Sequence, residues 1–136
     1  MAHRIGRTVQ PENGAKVAKI LLAEDDESMR AFLTKALSRV GHEVCSVSDG
    51  FEALPHIEDG EFDLLVTDIV MPGMDGLVLA RRISVETPDT KVIFITGFAA
   101  VSLNNHASQQ AEAKVLSKPF HLRTLVDEID RVLAVA

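Results

Sequence analysis

A short apolar run, Leu64-Leu65-Val66-Thr67, breaks off on the carboxylate of Asp68, and Ile69-Val70-Met71-Pro72-Gly73-Met74-Asp75-Gly76 then turns the chain. A buried parallel strand delivers one polar side chain to the rim of a sheet in this way, and open α/β folds place their sites on that rim. A strand ending in an ordinary turn-forming Asp looks the same in isolation. The other apolar runs decide between the two.

Lys19 to Ala23 is a second such run, and Glu24-Asp25-Asp26-Glu27 follows at once. Met29, Phe32, Leu33, Ala36, Leu37 and Val40 then recur at helical spacing, with Asp25 or Asp26 available as cap and Gly41 as terminator. Residues 43–47 alternate like a strand. A helix is expected from Asp49, with Glu52 as its capping-box partner and Pro55 making it short or kinked. Residues 62–67 form the third strand. A helix over 76–86 buries Leu77, Ala80 and Ile83 and stops at Thr87-Pro88.

Residues 92–95 form a fourth strand ending at Thr96-Gly97, and 113–116 a fifth ending at Ser117-Lys118-Pro119. Between them only one short helix near 99–103 is expected. The last helix carries Leu122, Leu125, Val126, Ile129, Val132 and Leu133 on one face. Alternating strands and helices make an α/β, doubly wound, flavodoxin-like domain: a five-stranded parallel sheet in order 2-1-3-4-5 with about five helices. It is expected over residues 18–136, behind a flexible tail of 1–17.

That order brings the acids of the first strand end, Glu24 and Asp25, next to Asp68, with Thr96 and Lys118 at the neighbouring ends. Clustered carboxylates with no His or Cys beside them suit Mg²⁺, or Mn²⁺, better than Zn²⁺. A hydroxyl and an ammonium can each take one phosphoryl oxygen. Asp68 then has the role of attacking carboxylate, forming an acyl phosphate. Asp26 and Glu27 are explained by helix capping and dipole alone.

Composition closes off other classes. The net charge is −6, and Arg4, Arg7, Lys16 and Lys19 stand against only Glu12 in the first nineteen residues, so the body is acidic. An acidic body argues against nucleic-acid binding. The longest near-apolar stretch, 92–103, is too short for a membrane helix, which needs roughly 20 residues. The first residues lack a signal-peptide core, so a cytoplasmic protein is expected. The single Cys45 reads as a buried reduced thiol.

The pattern resembles the receiver domain of two-component response regulators over about residues 18–135, through Asp68-Ile69-Val70-Met71-Pro72-x-Met74-Asp75-Gly76, the Glu24-Asp25 pair, Thr96 and Lys118-Pro119. The resemblance implies a CheY-like fold and phosphorylation of Asp68 by a histidine kinase or histidine phosphotransferase. It also implies Mg²⁺ held by Glu24, Asp25, Asp68 and the Val70 backbone carbonyl, with Thr96 as signalling hydroxyl. Within that family, Ile20-Leu21-Leu22-Ala23-Glu24-Asp25-Asp26, residues 94–101 and residues 114–123 look like the CpdR group, stand-alone receivers of alphaproteobacteria. Members of that group act as phosphorylation-gated adaptors of the ClpXP protease in the cell cycle, which implies a ClpX-linked role here. No further domain follows in this sequence, so output is expected by protein binding at the face of the fourth helix, fifth strand and fifth helix.

The chain departs from the family at Val115, where many receivers carry Tyr or Phe. A stiff β-branched side chain cannot swing inward as that ring does. Phe98 is a candidate substitute. With Val70, it also predicts slow phosphate loss, because apolar neighbours leave an attacking water unoriented. The apolar C-terminus, 133–136, is either a fraying helix end or a degradation signal. A binding module independent of phosphorylation is the alternative function. A haloacid-dehalogenase-like hydrolase would need its nucleophile in an Asp-x-Asp motif after the first strand. A nucleotide or flavin binder would need a non-acidic loop there.

Overall fold

The computed structural model describes residues 17–59, 62–97 and 114–134. Residues 1–16 of the expected tail, the helix expected near 99–103, Phe98 and the last two residues fall outside them. The elements are β1 Lys19–Ala23, α1 Glu27–Val40, β2 Glu43–Val47, α2 Gly50–Asp59, β3 Leu64–Asp68, α3 Gly76–Glu86, β4 Lys91–Thr96, β5 Lys114–Ser117 and α4 Leu122–Ala134. The strands pair in parallel in the order β2-β1-β3-β4-β5, as expected. Four helices lie among the described residues, against the expected five or so.

Strand periodicity of two sorts the core. Ile20 and Leu22 of β1 join Leu33, Leu37, Leu125 and Ile129, so α1 and α4 cover one face of the sheet. Leu21 and Ala23 join Ala53, Ile57, Leu79, Ala80 and Ile83, so α2 and α3 cover the other. All five residues of β3 are buried, which is why its sequence is an unbroken apolar run up to Asp68.

Local chemistry sets the helix ends. Asp26 caps α1 by accepting the Met29 amide at 2.9 Å. Gly41, at φ 115°, closes it in the left-handed region and returns its N–H to Leu37 and Ser38. Asp49 accepts the Glu52 amide at 2.9 Å. The return contact lands one residue earlier than the capping box predicts, with Glu52 Oε1 accepting from Ser48 N at 2.7 Å and Ser48 Oγ at 2.9 Å. Pro55 sits inside a ten-residue α2 without ending it.

Four expectations are corrected. On α3 the buried residues are Gly76, Leu79, Ala80 and Ile83, while Leu77 is half-buried. Gly76 is seated against the end of β3, and that turns the 76-79-80-83 stripe onto the sheet. On α1 the apolar face is wider than the surface it covers, and Phe32 stays 55% exposed. Strand bounds shift by one or two residues at β3, β4 and β5, because ladder partners set them rather than apolarity. Cys45 is half-buried, not buried. Even so, burial pushes its thiol up, against the opposing charge of Lys19.

Candidate functional site

The strand ends converge between β1 and β3, the parallel neighbours at which the strand order switches from one side of β1 to the other. Glu24 leaves β1 fully buried, whereas Asp25 points outward and is exposed. Their division of labour follows from local bonding. Glu24 Oε2 accepts the Asp26 amide at 3.0 Å, which turns the side chain back into the domain. Asp26 is committed to the α1 cap, leaving Asp25 as the exposed carboxylate of the pair.

Asp68, at the end of β3, is 7% exposed. Its Oδ1 accepts the Val70 amide at 3.2 Å, and its Oδ2 receives Lys118 Nζ at 3.0 Å. The same ammonium reaches Glu24 Oε1, also at 3.0 Å. Lys118 thus bridges residues 94 and 50 positions away in the chain. Two carboxylates about 4 Å apart repel by roughly 4 kcal/mol at a surface-like dielectric, and here one cation answers both.

The electrostatics agree. Burial pushes the Glu24 carboxyl up, while the Asp26 amide and the Lys118 ammonium pull against that rise. Burial alone would lower Lys118, yet its bonds to Asp68 and Glu24 outweigh this and hold the ammonium charged. One oxygen from each of Glu24, Asp25 and Asp68 lies within 4.8 Å of the others. An all-oxygen donor set with no His or Cys fits a hard divalent cation such as Mg²⁺.

Thr96 closes β4 and is fully buried. Its carbonyl accepts the Lys118 amide at 2.7 Å, which fixes where the lysine leaves β5. The Lys118–Pro119 bond is cis. Val70 is half-exposed beside the carboxylate. The structure therefore brings Glu24, Asp25, Asp68, Val70 and Lys118 together and sets Thr96 at the adjoining strand end.

Residues 20–130 match the response regulator receiver domain. The chain belongs to that family. It is 54% identical over 118 residues to the response regulator receiver protein CpdR of Brucella abortus, covering 87% of this chain and 98% of that one. Among solved structures, the receiver superposes on the chemotaxis response regulator CheY4 of Vibrio cholerae with a TM-score of 0.78 and 27% identity, over 86% of this chain and 99% of that one. It matches the Thermotoga maritima response regulator TrrA, solved in complex with Mg²⁺-BeF, with a TM-score of 0.75 and 29% identity, over 84% of this chain and 97% of that one. The CheY-like fold expectation is borne out. Among the described residues, no helix is long and apolar enough to cross a membrane.

Two residues of this receiver site escape a reading of the sequence. Arg30 Nη1 donates to the Glu24 carbonyl at 2.9 Å and so pins the backbone of the acidic loop from α1. A cation this early in a helix runs against the dipole, and that misplacement is the signal that could have found it. Gly76 is the other. A Cβ there would stand 2.1 Å from the Asp68 carbonyl oxygen, so only glycine lets α3 begin against the end of β3. Its place in the motif marked it as a turn residue, not as a contact.

Proposed function

We propose that this receiver is a single-domain response regulator phosphorylated on Asp68 through a histidine-kinase phosphorelay. The carrying observation is the shared ammonium: Asp68 and Glu24 both hold Lys118 at 3.0 Å, beside the exposed carboxylate of Asp25. An Asp68 carboxylate oxygen attacks the phosphorus of a phosphohistidine, the P–N bond breaks, and the imidazole departs with its electron pair and takes up a proton. Lys118 follows one phosphoryl oxygen, and the Thr96 hydroxyl takes another. Glu24, Asp25, Asp68 and the Val70 carbonyl would hold Mg²⁺ (or Mn²⁺), whose charge offsets that developing on the phosphoryl oxygens.

The donor's approach has a matching surface. Phe32, Ala36, Val40 and Leu122, with Lys35 and Arg39, line an open groove of about 420 Å³ between α1 and the start of α4. A helix of the histidine kinase or phosphotransferase with apolar residues and an acidic margin fits it. Asp68 accepts a phosphoryl group and loses it slowly, with no substrate turned over. Output is by phosphorylation-dependent protein binding in the cytoplasm, as an adaptor regulating ClpXP proteolysis. The 54% identity to CpdR over 98% of that protein supports this role.

Incubating the purified protein with Mg²⁺ and phosphoramidate, and reading intact mass, tests the chemistry. One phosphoryl group is expected, absent in Asp68→Asn and without divalent cation. Phosphorylation that persists in Asp68→Asn rejects the assignment. The half-buried Val115 favours one other reading, a binding module indifferent to phosphorylation. Equal ClpX binding by Asp68→Asn, Asp68→Ala and phosphorylated protein would select it.

A further inference from the structure

We infer that the corner between α2 and the β3–α3 turn is a docking surface controlled by the phosphoryl state of Asp68, and that it takes a protein segment with an apolar plug and a Lys/Arg fringe. This rests on Asp68 being the phosphoacceptor. It differs from the α1 groove and from the β5 side, where Val115 is too stiff to act as a swinging reporter.

The coupling is a chain of contacts. Asp68 Oδ1 accepts the Val70 amide at 3.2 Å. Converting the carboxylate to an acyl phosphate takes away from its own oxygens the negative charge that strengthens this bond. The turn that begins at Val70 is fastened at its far end, because Gly76 sits against the Asp68 carbonyl and donates to Ile69 O at 2.8 Å. Its middle bears on α2. A Cβ on Gly73 would stand 2.7 Å from Phe51 Cε2, and one on Gly50 would stand 2.7 Å from the Met74 carbonyl oxygen. No slack separates turn and helix, so movement at Val70 reaches Phe51.

The surface above this clamp is apolar. Phe51 is 58%, Val70 50% and Val78 42% exposed, three of the five large hydrophobic side chains that stand out from the described residues. Phe51 packs on the turn at Gly73, which runs from Val70 to the start of α3 where Val78 stands. Exposed apolar residues along one such corner mark an interaction site where scattered single residues would not. The margin is acidic, with Asp49, Glu52 and Asp75 around it. Residues 41–80 contain no Lys or Arg, and although Arg30 of α1 and His56 act on Glu52, three carboxylates leave the margin net negative. A partner therefore brings cations around its apolar plug.

Hydrogen exchange of the full chain with Mg²⁺, with and without beryllofluoride as phosphoryl stand-in, tests the coupling. Exchange in peptides covering 50–59 and 69–78 is expected to change at least threefold. Gly73→Ala, which drives the Phe51 ring aside, should abolish the change at 50–59 and keep it at 64–68. The occupant is tested with a synthetic helical peptide carrying Leu and Phe flanked by Lys and Arg, against the same peptide flanked by Glu. The basic peptide should bind one state at least tenfold tighter, and Phe51→Ala and Val78→Ser, both at exposed positions, should each weaken it tenfold. Changes confined to 91–97 and 114–134 overturn the inference, as does equal binding of the two peptides, or loss of binding only in Phe32→Ala. A response absent everywhere, 64–68 included, rejects the phosphoacceptor reading as well.

Discussion

At the N-terminal end of the strands, His42 Nδ1 accepts the Ala18 amide at 3.0 Å, Asp63 Oδ2 accepts the Lys19 amide at 2.8 Å, and the Thr90 hydroxyl donates to the Phe62 carbonyl at 2.7 Å. At the C-terminal end, Glu24, Asp25 and Asp68 crowd together, and the buried pair is answered by one ammonium from a distant strand. Polar side chains at the first end each complete a backbone hydrogen bond, and the atom left buried without a partner among them, His42 Nε2, is a lone ring nitrogen and not a charge cluster. At the second end, carboxylates are balanced by a movable lysine, so a cation or a phosphoryl group can take a share. Backbone completion makes a stitch, and charge concentration makes a site.

The hardest blow to this contrast should come from Gly76→Ala. It places a methyl group against the Asp68 carbonyl and is expected to cost about 3 kcal/mol. Urea midpoints at unchanged slope would measure this. A cost below about 1 kcal/mol would mean that the functional end is softer than the close approach implies.

Next comes Lys118→Met, which leaves buried Glu24 facing Asp68 without a cation. A loss of about 2 kcal/mol is expected. Mg²⁺ should recover more stability in this variant than in the parent, since it then meets unanswered carboxylates. Denaturation with and without Mg²⁺ decides it, and equal recovery would show that Lys118 and the metal do not share the cluster.

His42→Phe removes a stitch at the other end, with a cost of about 1.5 kcal/mol above neutral pH. Burial holds this imidazole below its ordinary 6.5, against the opposing charge of Asp130. The unfolded chain therefore binds the proton first. The stabilisation is complete above about pH 6.5 and is lost as pH falls towards the lower folded value. Part of the parent's loss of stability below pH 6.5 should be missing from the variant, and parallel pH profiles would refute the assignment. The smallest effect is Thr90→Val, which gives up one hydroxyl bond at the same end, about 1 kcal/mol with Mg²⁺ binding untouched. Calorimetric titration checks the second half.

Much of the fold is legible in the chain because its signals are local. Apolar runs of strand length, helical spacing in 29–40 and 122–133, and the caps Asp26 and Gly41 each act within a few residues. The strand order followed from the alternation of elements. Leu77 and Phe32 were misread because helix azimuth is set by what lies opposite. Only the end of β3 turns α3 onto Leu79, and only the limited width of the covered surface leaves Phe32 outside. Arg30 was missed because its partner is a backbone carbonyl, and its unfavourable place early in α1 is the one mark it leaves in the sequence.

Asp68 was marked by sequence alone as a carboxylate at the end of a buried strand, since burial on both faces leaves its own trace in composition. Tertiary structure decided which neighbour answers it. Glu24 and Asp25 are adjacent in the chain, yet one is sealed against Lys118 and the other exposed, and Gly76 is pressed onto the Asp68 carbonyl. These relations join residues 8 to 94 positions apart. They arise from packing density and shared charge, which act through space and leave no period in the sequence.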